Sequence, residues 1–75
     1  SADIRIIMQA AILGNATRII LAHNHPSGSL NPSTVDNLLT ERVKNAAKLF
    51  NITLLDHIIV TDSGYYSYLD EGRVL

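Results

Sequence analysis

His23 and His25 stand one residue apart, and after a turn-rich loop Ser33 and Asp36 follow with helical spacing. On a strand, positions i and i+2 point to the same face, so the two imidazoles project together while Asn24 points away. On a helix, positions i and i+3 share a face, which sends Ser33 and Asp36 the same way. Two imidazoles and a carboxylate brought together are a ligand set for zinc. With three protein ligands the fourth position stays open, which is the catalytic rather than the structural pattern.

The elements around these residues must supply that geometry. Thr17-Arg18-Ile19-Ile20-Leu21-Ala22 is an apolar run rich in β-branched side chains, bounded upstream by Gly14-Asn15. It predicts a buried strand from Thr17 to His23, with the histidines where the strand ends. Pro26, Ser27, Gly28, Ser29, Asn31 and Pro32 cannot continue a strand and predict a loop. Asn31 reads as a helix N-cap and Pro32 as the first helical residue, where its missing N–H costs nothing, with Ser33 in the first turn. Asn24, Pro26, Ser27 and Gly28 read as loop-shaping, although Ser27-Gly28 could line a substrate groove.

His23-x-His25, seven residues, Ser33, two residues and Asp36 matches without a gap the His-x-His-x7-Ser-x2-Asp signature of the JAMM (MPN+) metallopeptidases. The text around it, Leu21-Ala22-His23-Asn24-His25-Pro26-Ser27-Gly28 and later Leu54-Leu55-Asp56-His57-Ile58-Ile59-Val60, resembles the bacterial RadC branch, and the resemblance covers nearly the whole chain. It implies a zinc-dependent hydrolase of peptide or isopeptide substrates, with His23, His25 and Asp36 on the metal. By the same resemblance, Ser33 would help hold the oxyanion as a catalytic residue. The implied fold is α/β, a small mixed sheet flanked by helices, JAMM/MPN-like and cytidine-deaminase-like. The family carries a DNA-repair label.

In that family a glutamate on an earlier strand takes a proton from the attacking water, and here the sequence departs from the pattern. Glu41 and Glu71 are its two glutamates, and both follow the histidines. Glu41 lies five residues beyond Asp36, about 140° round the helix axis, and so faces away from the metal. The expectation is therefore one domain over residues 1–75 that is part of a RadC/JAMM domain, without its first strands. The rival reading is a metal-binding or protein-interaction module without catalysis.

Composition bounds the remaining choices. Seventy-five residues make one small domain, whose core is marginal without a metal or a partner. A hydrophobic share of 47% is that of a globular chain rather than a disordered one. The absence of cysteine removes disulfides, thiolate zinc sites and a cysteine nucleophile, and cytoplasm is the default compartment. A net charge of −1 with scattered signs gives no footprint for nucleic acid. No apolar run approaches the ~20 residues of a membrane span. Direct nucleic-acid binding and a membrane partner are thus not expected.

The rest of the chain predicts the order α, β, α, β, β. Asp3 caps a first helix carrying Ile4, Ile7, Met8, Ala11 and Ile12 inward onto the sheet, ended by Gly14-Asn15. A second helix runs from Pro32 to about Phe50, burying Val35, Leu38, Leu39, Val43, Ala46, Ala47 and Phe50, with Asn51 as C-cap. Ile52 to Thr61 reads as a strand buried on both faces except at Asp56-His57. That polar pair reads as a buried hydrogen-bonded pair, with a contact to a ligand imidazole as its functional alternative. Asp62-Ser63-Gly64 turns into a last strand, Tyr65 to Leu69, whose tyrosines are ordinary strand residues. A parallel pair closed by a hairpin leaves one sheet edge open, a route to an oligomer.

Overall fold

Asp3 accepts a hydrogen bond from the Arg5 N–H at 2.8 Å and starts helix α1, Ile4–Leu13, in a computed structural model that describes residues 3–73 and 75. The chain then forms β1 (Arg18–Asn24), α2 (Thr34–Lys48), β2 (Thr53–Thr61) and β3 (Gly64–Ser67). The sheet order is β1-β2-β3, with β1 parallel to β2 and β2 antiparallel to β3. This is the expected α/β architecture, two helices with a three-stranded mixed sheet. Both β1 and β3 are edges, where the sequence suggested a single open one.

The parallel pair arises because β1 and β2 are joined by α2, a crossover long enough to bring the chain back in the same direction. Asp62-Ser63 form the two-residue turn between β2 and β3, with Thr61 opposite Gly64. The register of β1 on β2 shifts between Ile19 and Ile20: Ile19 pairs with Leu54 but Ile20 with Asp56, leaving Leu55 as an extra residue. Such a bulge inverts the alternation beyond it. Leu54 and His57 therefore share the face toward α2, while Asp56 is turned to the other.

The core is small. Met8 and Ala11 of α1 pack with Ala47 of α2 and with Ile52, and Ile4, Ala16, Ile19 and Ala46 close round them. Beneath α2, Val43 and Ile59 are fully buried. α1 therefore packs chiefly on α2, where the sequence pattern placed it on the sheet. Ile6, Ile12 and Leu13 stay exposed.

The second helix differs from its reading in three ways. It starts two residues later, with Ser33 rather than Asn31 as N-cap, because Ser33 and Asp36 close a capping box that Asn31 has no partner to form. Its buried stripe is Asp36, Thr40, Val43 and Ala47, whereas Val35 (70% exposed), Leu38 and Phe50 lie outside. The helix is rotated so that its polar residues meet the histidines. It also ends at Lys48, where the N–H groups of Leu49, Phe50 and Asn51 bond three residues back, making Leu49 the C-cap. Asn51 takes the left-handed conformation (φ 57°) that lets the chain turn into β2.

The polar pair of β2 is buried, as its hydrogen-bonded reading has it, but the strand around it is not buried on both faces. Asp56 and His57 are buried, and Leu55 and Val60 are the more exposed residues of the strand. β3 ends at Ser67, two residues early, because the Leu69 N–H turns back to the Asp56 carboxylate. The sheet face away from α2 carries Ile20, Val60 and Tyr65, each exposed.

Candidate metal centre

β1 delivers both histidines to one place. His23 lies within the strand, and the His25 N–H still bonds the Val60 carbonyl at 3.0 Å, so the ladder holds one residue past the strand's end. The i, i+2 relation is thereby preserved, and the imidazoles project together.

Asp36 meets them from the N3 position of α2. Its Oδ2 lies 3.0 Å from His25 Nε2 and its Oδ1 3.1 Å from His23 Nε2. The two imidazole Nε2 atoms are 2.9 Å apart. Donors at the corners of a tetrahedral zinc with bonds of about 2.0–2.1 Å are separated by about 3.3 Å, so the three need open by only a few tenths of an ångström. These residues form the cluster of ligating side chains found among the described residues.

The hydrogen bonds of His25 show which of its nitrogens faces the cluster. His25 Nδ1 lies 2.8 Å from the Ser29 carbonyl oxygen, which can only accept, so Nδ1 carries the proton. A ring with its proton on Nδ1 offers the Nε2 lone pair on the same side as a carboxylate oxygen at 3.0 Å. That pair of nitrogen and oxygen donors suits a metal ion.

The Asp36 carboxyl is held in its charged form. Burial works to raise its pKa, but hydrogen bonds from Ser33 and the neighbouring His23 and His25 outweigh it and leave the value below the ordinary 3.8. The Ser33 N–H donates to Asp36 Oδ2 at 2.8 Å. The Asp36 carboxylate is therefore ionised and aimed at the two imidazoles.

His57 sits behind the cluster, 1% exposed, with its Nε2 2.8 Å from His23 Nδ1 and its Nδ1 2.5 Å from Thr40 Oγ1. Burial above all, and then the neighbouring His23, push its pKa down to about 4, so the ring is neutral at pH 7.

Comparison with known proteins shows the family. The RadC-like JAB domain family model matches residues 1–73. The chain belongs to this family. Among its relatives, a UPF0758 protein of Porphyromonas gingivalis is 53% identical over 73 residues, covering 96% of this chain and 32% of the relative. UPF0758 proteins of Flavobacterium johnsoniae and Thermotoga maritima are each 44% identical over 70 residues, covering 93% of the chain and 31% and 32% of the relatives. The chain spans about a third of the length of these curated relatives.

In this RadC-like JAB chain, the structure brings together His23, His25 and Asp36. Ser33 is adjacent, with its Oγ accepting the Asp36 N–H at 3.0 Å as the helix cap. Glu41 lies on the outer side of α2, 3.4 Å from Lys44, and Glu71 is exposed beyond β3. Neither joins the cluster. Asp56 and His57 are both buried and hydrogen-bonded, as the first reading of that pair has it, and His57 additionally touches the His23 imidazole.

Two contributors went unread in the sequence. The Ser29 carbonyl, which orients His25, leaves no trace in residue type. Thr40 did leave one: a hydroxyl one helical turn beyond Asp36, in a stripe otherwise made of apolar residues. No helix among the described residues is long and apolar enough to cross a membrane.

Proposed function

We propose that this chain carries the metal centre of a zinc-dependent amide hydrolase of metallopeptidase or isopeptidase type. The observation that carries the reading is the convergence of His23 Nε2, His25 Nε2 and an Asp36 oxygen, each within about 3 Å of the next. A zinc ion held by these three atoms supplies a Lewis acid that polarises a carbonyl and makes water a nucleophile near neutral pH.

The chain's own residues fit the other tasks such a site needs. Ser33 Oγ spends one lone pair on the Asp36 N–H, and its hydroxyl proton has no acceptor among the hydrogen bonds of the described residues. That O–H is the donor proposed to stabilise a developing oxyanion. A groove of about 360 Å³ lined by Asn24, His25, Pro26, Gly28 and Thr61 runs beside His25 and gives a substrate segment room next to the ligands. Both lie on the loop side of the sheet, at the end of β1.

A second reading is favoured by the glutamates. With Glu41 on the outer side of α2 and Glu71 beyond β3, no carboxylate besides Asp36 joins the cluster among the described residues to act as general base. On that reading the chain is a metal-binding or interaction module without catalysis.

Elemental analysis of the purified protein and of Asp36→Ala tests the shared premise. About one zinc per chain, lost in the variant, supports both readings, and no zinc in either protein overturns both. Amide hydrolysis that disappears in His25→Ala and in Asp36→Ala selects the hydrolase. Zinc binding with no turnover of amide substrates selects the module.

A further inference from the structure

His57 and Thr40 join the backbone of α2 to the far nitrogen of a ligand. Thr40 Oγ1 lies 2.9 Å from the Asp36 carbonyl oxygen and 2.5 Å from His57 Nδ1, and His57 Nε2 lies 2.8 Å from His23 Nδ1. Read from the Thr40 hydroxyl, the bonds of this series take one consistent direction. That hydroxyl donates its single proton to the Asp36 carbonyl oxygen. Thr40 Oγ1 must then accept the proton of His57 Nδ1. A neutral imidazole carries one N–H, so His57 Nε2 is a lone pair and accepts from His23 Nδ1–H. His23 is left with its own lone pair on Nε2, the atom 2.9 Å from His25 Nε2 and 3.1 Å from Asp36 Oδ1.

We infer that His57, oriented by Thr40, is a positioning residue that locks His23 in the tautomer whose Nε2 can bind a metal. The inference rests on the metal reading above and goes beyond it by assigning roles to two residues outside the ligand set. An outer hydrogen bond of this kind fixes both the ring and the tautomer of a ligand histidine. Usually the partner is a carboxylate or a carbonyl. Here it is a second imidazole, which can accept from His23 only while its other nitrogen holds the proton, and Thr40 secures that condition.

The His57 ring is also held in its plane. The Tyr68 ring stacks on it at 4.9 Å between centroids with 7° between planes. The Tyr68 hydroxyl donates to Asn37 Oδ1 at 2.7 Å. Asn37, Thr40 and Asp36 all belong to α2. One helix therefore supplies the third ligand, the hydroxyl that sets the His57 tautomer, and the anchor for the ring stacked on His57. His25 has its separate lock in the Ser29 carbonyl, so disturbing Thr40 affects one imidazole and spares the other.

The test reads tautomers and metal affinity rather than turnover. Nitrogen-15 histidine spectra of the metal-free wild-type protein at neutral pH are expected to show Nδ1–H tautomers at both His23 and His57. Thr40→Val keeps the shape and removes the hydroxyl. It should release His57 into a mixture of tautomers and weaken zinc binding, measured by competition with a chromophoric chelator, by about tenfold or more. Thr40→Ser retains the hydroxyl and should restore the wild-type tautomer and an affinity within about twofold of wild type. Zinc uptake combined with an Nε2–H tautomer at His57, or with a Thr40→Val affinity equal to wild type, overturns this inference alone. A wild-type protein that takes up no zinc overturns the metal reading and this inference with it.

Discussion

Ser33 and Asp36 hold each other through two reciprocal hydrogen bonds, Ser33 N–H to Asp36 Oδ2 at 2.8 Å and Asp36 N–H to Ser33 Oγ at 3.0 Å. The residue that caps α2 thus also aims the carboxylate that meets His23 and His25. A helix start is well suited to this, since its free N–H groups and positive dipole end favour an ionised carboxylate. The Ser-x2-Asp spacing of the sequence is the spacing of a capping box, with Asp36 at N3 in the place a glutamate more often occupies. One motif serves both the helix and the site.

Ser33→Ala separates these duties. The variant loses the acceptor for the Asp36 N–H but keeps the backbone N–H that donates to Oδ2. Stability in urea should fall by about 1 kcal/mol, the usual cost of a lost cap. Zinc stoichiometry should remain near one per chain. If Ser33 also serves a developing oxyanion, kcat should fall on the order of a hundredfold or more, beyond anything the stability loss explains. A variant with wild-type kcat would leave Ser33 as a cap only.

Zinc should act as a folding ligand. A core built round Met8, Ala11, Ala47 and Ile52 is small, so binding energy at the site is a large fraction of the total. Free zinc at a hundred times its Kd should add about 2.7 kcal/mol. For a domain of this size that is a rise in Tm of roughly 10–20 °C. Calorimetry with and without a chelator measures it, and Asp36→Ala should show no zinc-dependent shift.

Gly28 ties the loop to the site at one remove. Its φ of +85° lies in the left-handed region, with open space where a Cβ would stand, so the constraint is the backbone alone. Its N–H bonds the His25 carbonyl at 2.9 Å, and the next residue, Ser29, provides the carbonyl that fixes the His25 tautomer. Gly28→Ala should cost about 1 kcal/mol of strain or shift the loop. Zinc affinity should fall severalfold, while Gly72→Ala, with a similar φ of +74° far from the ligands in sequence, should leave it unchanged. Equal affinities in wild type and Gly28→Ala would show that the Ser29 carbonyl keeps its place without the glycine.

The cluster was legible because its residues lie in one stretch of chain, where local rules apply: alternation on a strand placed His23 with His25, and helical spacing placed Ser33 with Asp36. The rotation of α2 was not. Val35 and Leu38 score as core residues by polarity, yet the helix turns Asp36 and Thr40 inward instead, because buried hydrogen bonds to His25 and His57 decide its angle. Those partners lie 11 and 17 residues away in sequence, and periodicity within a helix carries no information about them. The bulge at Leu55 was hidden for the same reason: it is a relation between two strands. Without it, the alternation from Leu54 would have turned His57 away from His23.

Asp56 gives the fold a dependence on pH that can be tested apart from the metal. Its carboxylate accepts from the Ser67 hydroxyl at 2.5 Å, the His57 N–H at 2.7 Å and the Leu69 N–H at 2.9 Å, tying β2 to β3 and to the turn beyond. Burial works to raise its pKa, but these hydrogen bonds outweigh burial and hold it below the ordinary 3.8. The unfolded chain then binds more protons than the folded one in the window just below that value, so stability falls as pH falls. The contribution is fully present above about pH 4 and is lost as pH drops through the depressed folded value. Asp56→Asn keeps one acceptor oxygen and loses the charge, which should cost about 2 kcal/mol at neutral pH. Asp56 raises the pKa of the neighbouring His57, so the comparison is made in a His57→Gln background, where no imidazole titrates at that position. Urea unfolding of His57→Gln and of His57→Gln with Asp56→Asn from pH 7 to pH 3, with chelator present, should show a constant gap down to about pH 4 that narrows below it. A gap that stays constant to pH 3 would mean that the carboxylate gains nothing from its charge, and that shape alone joins the two strands.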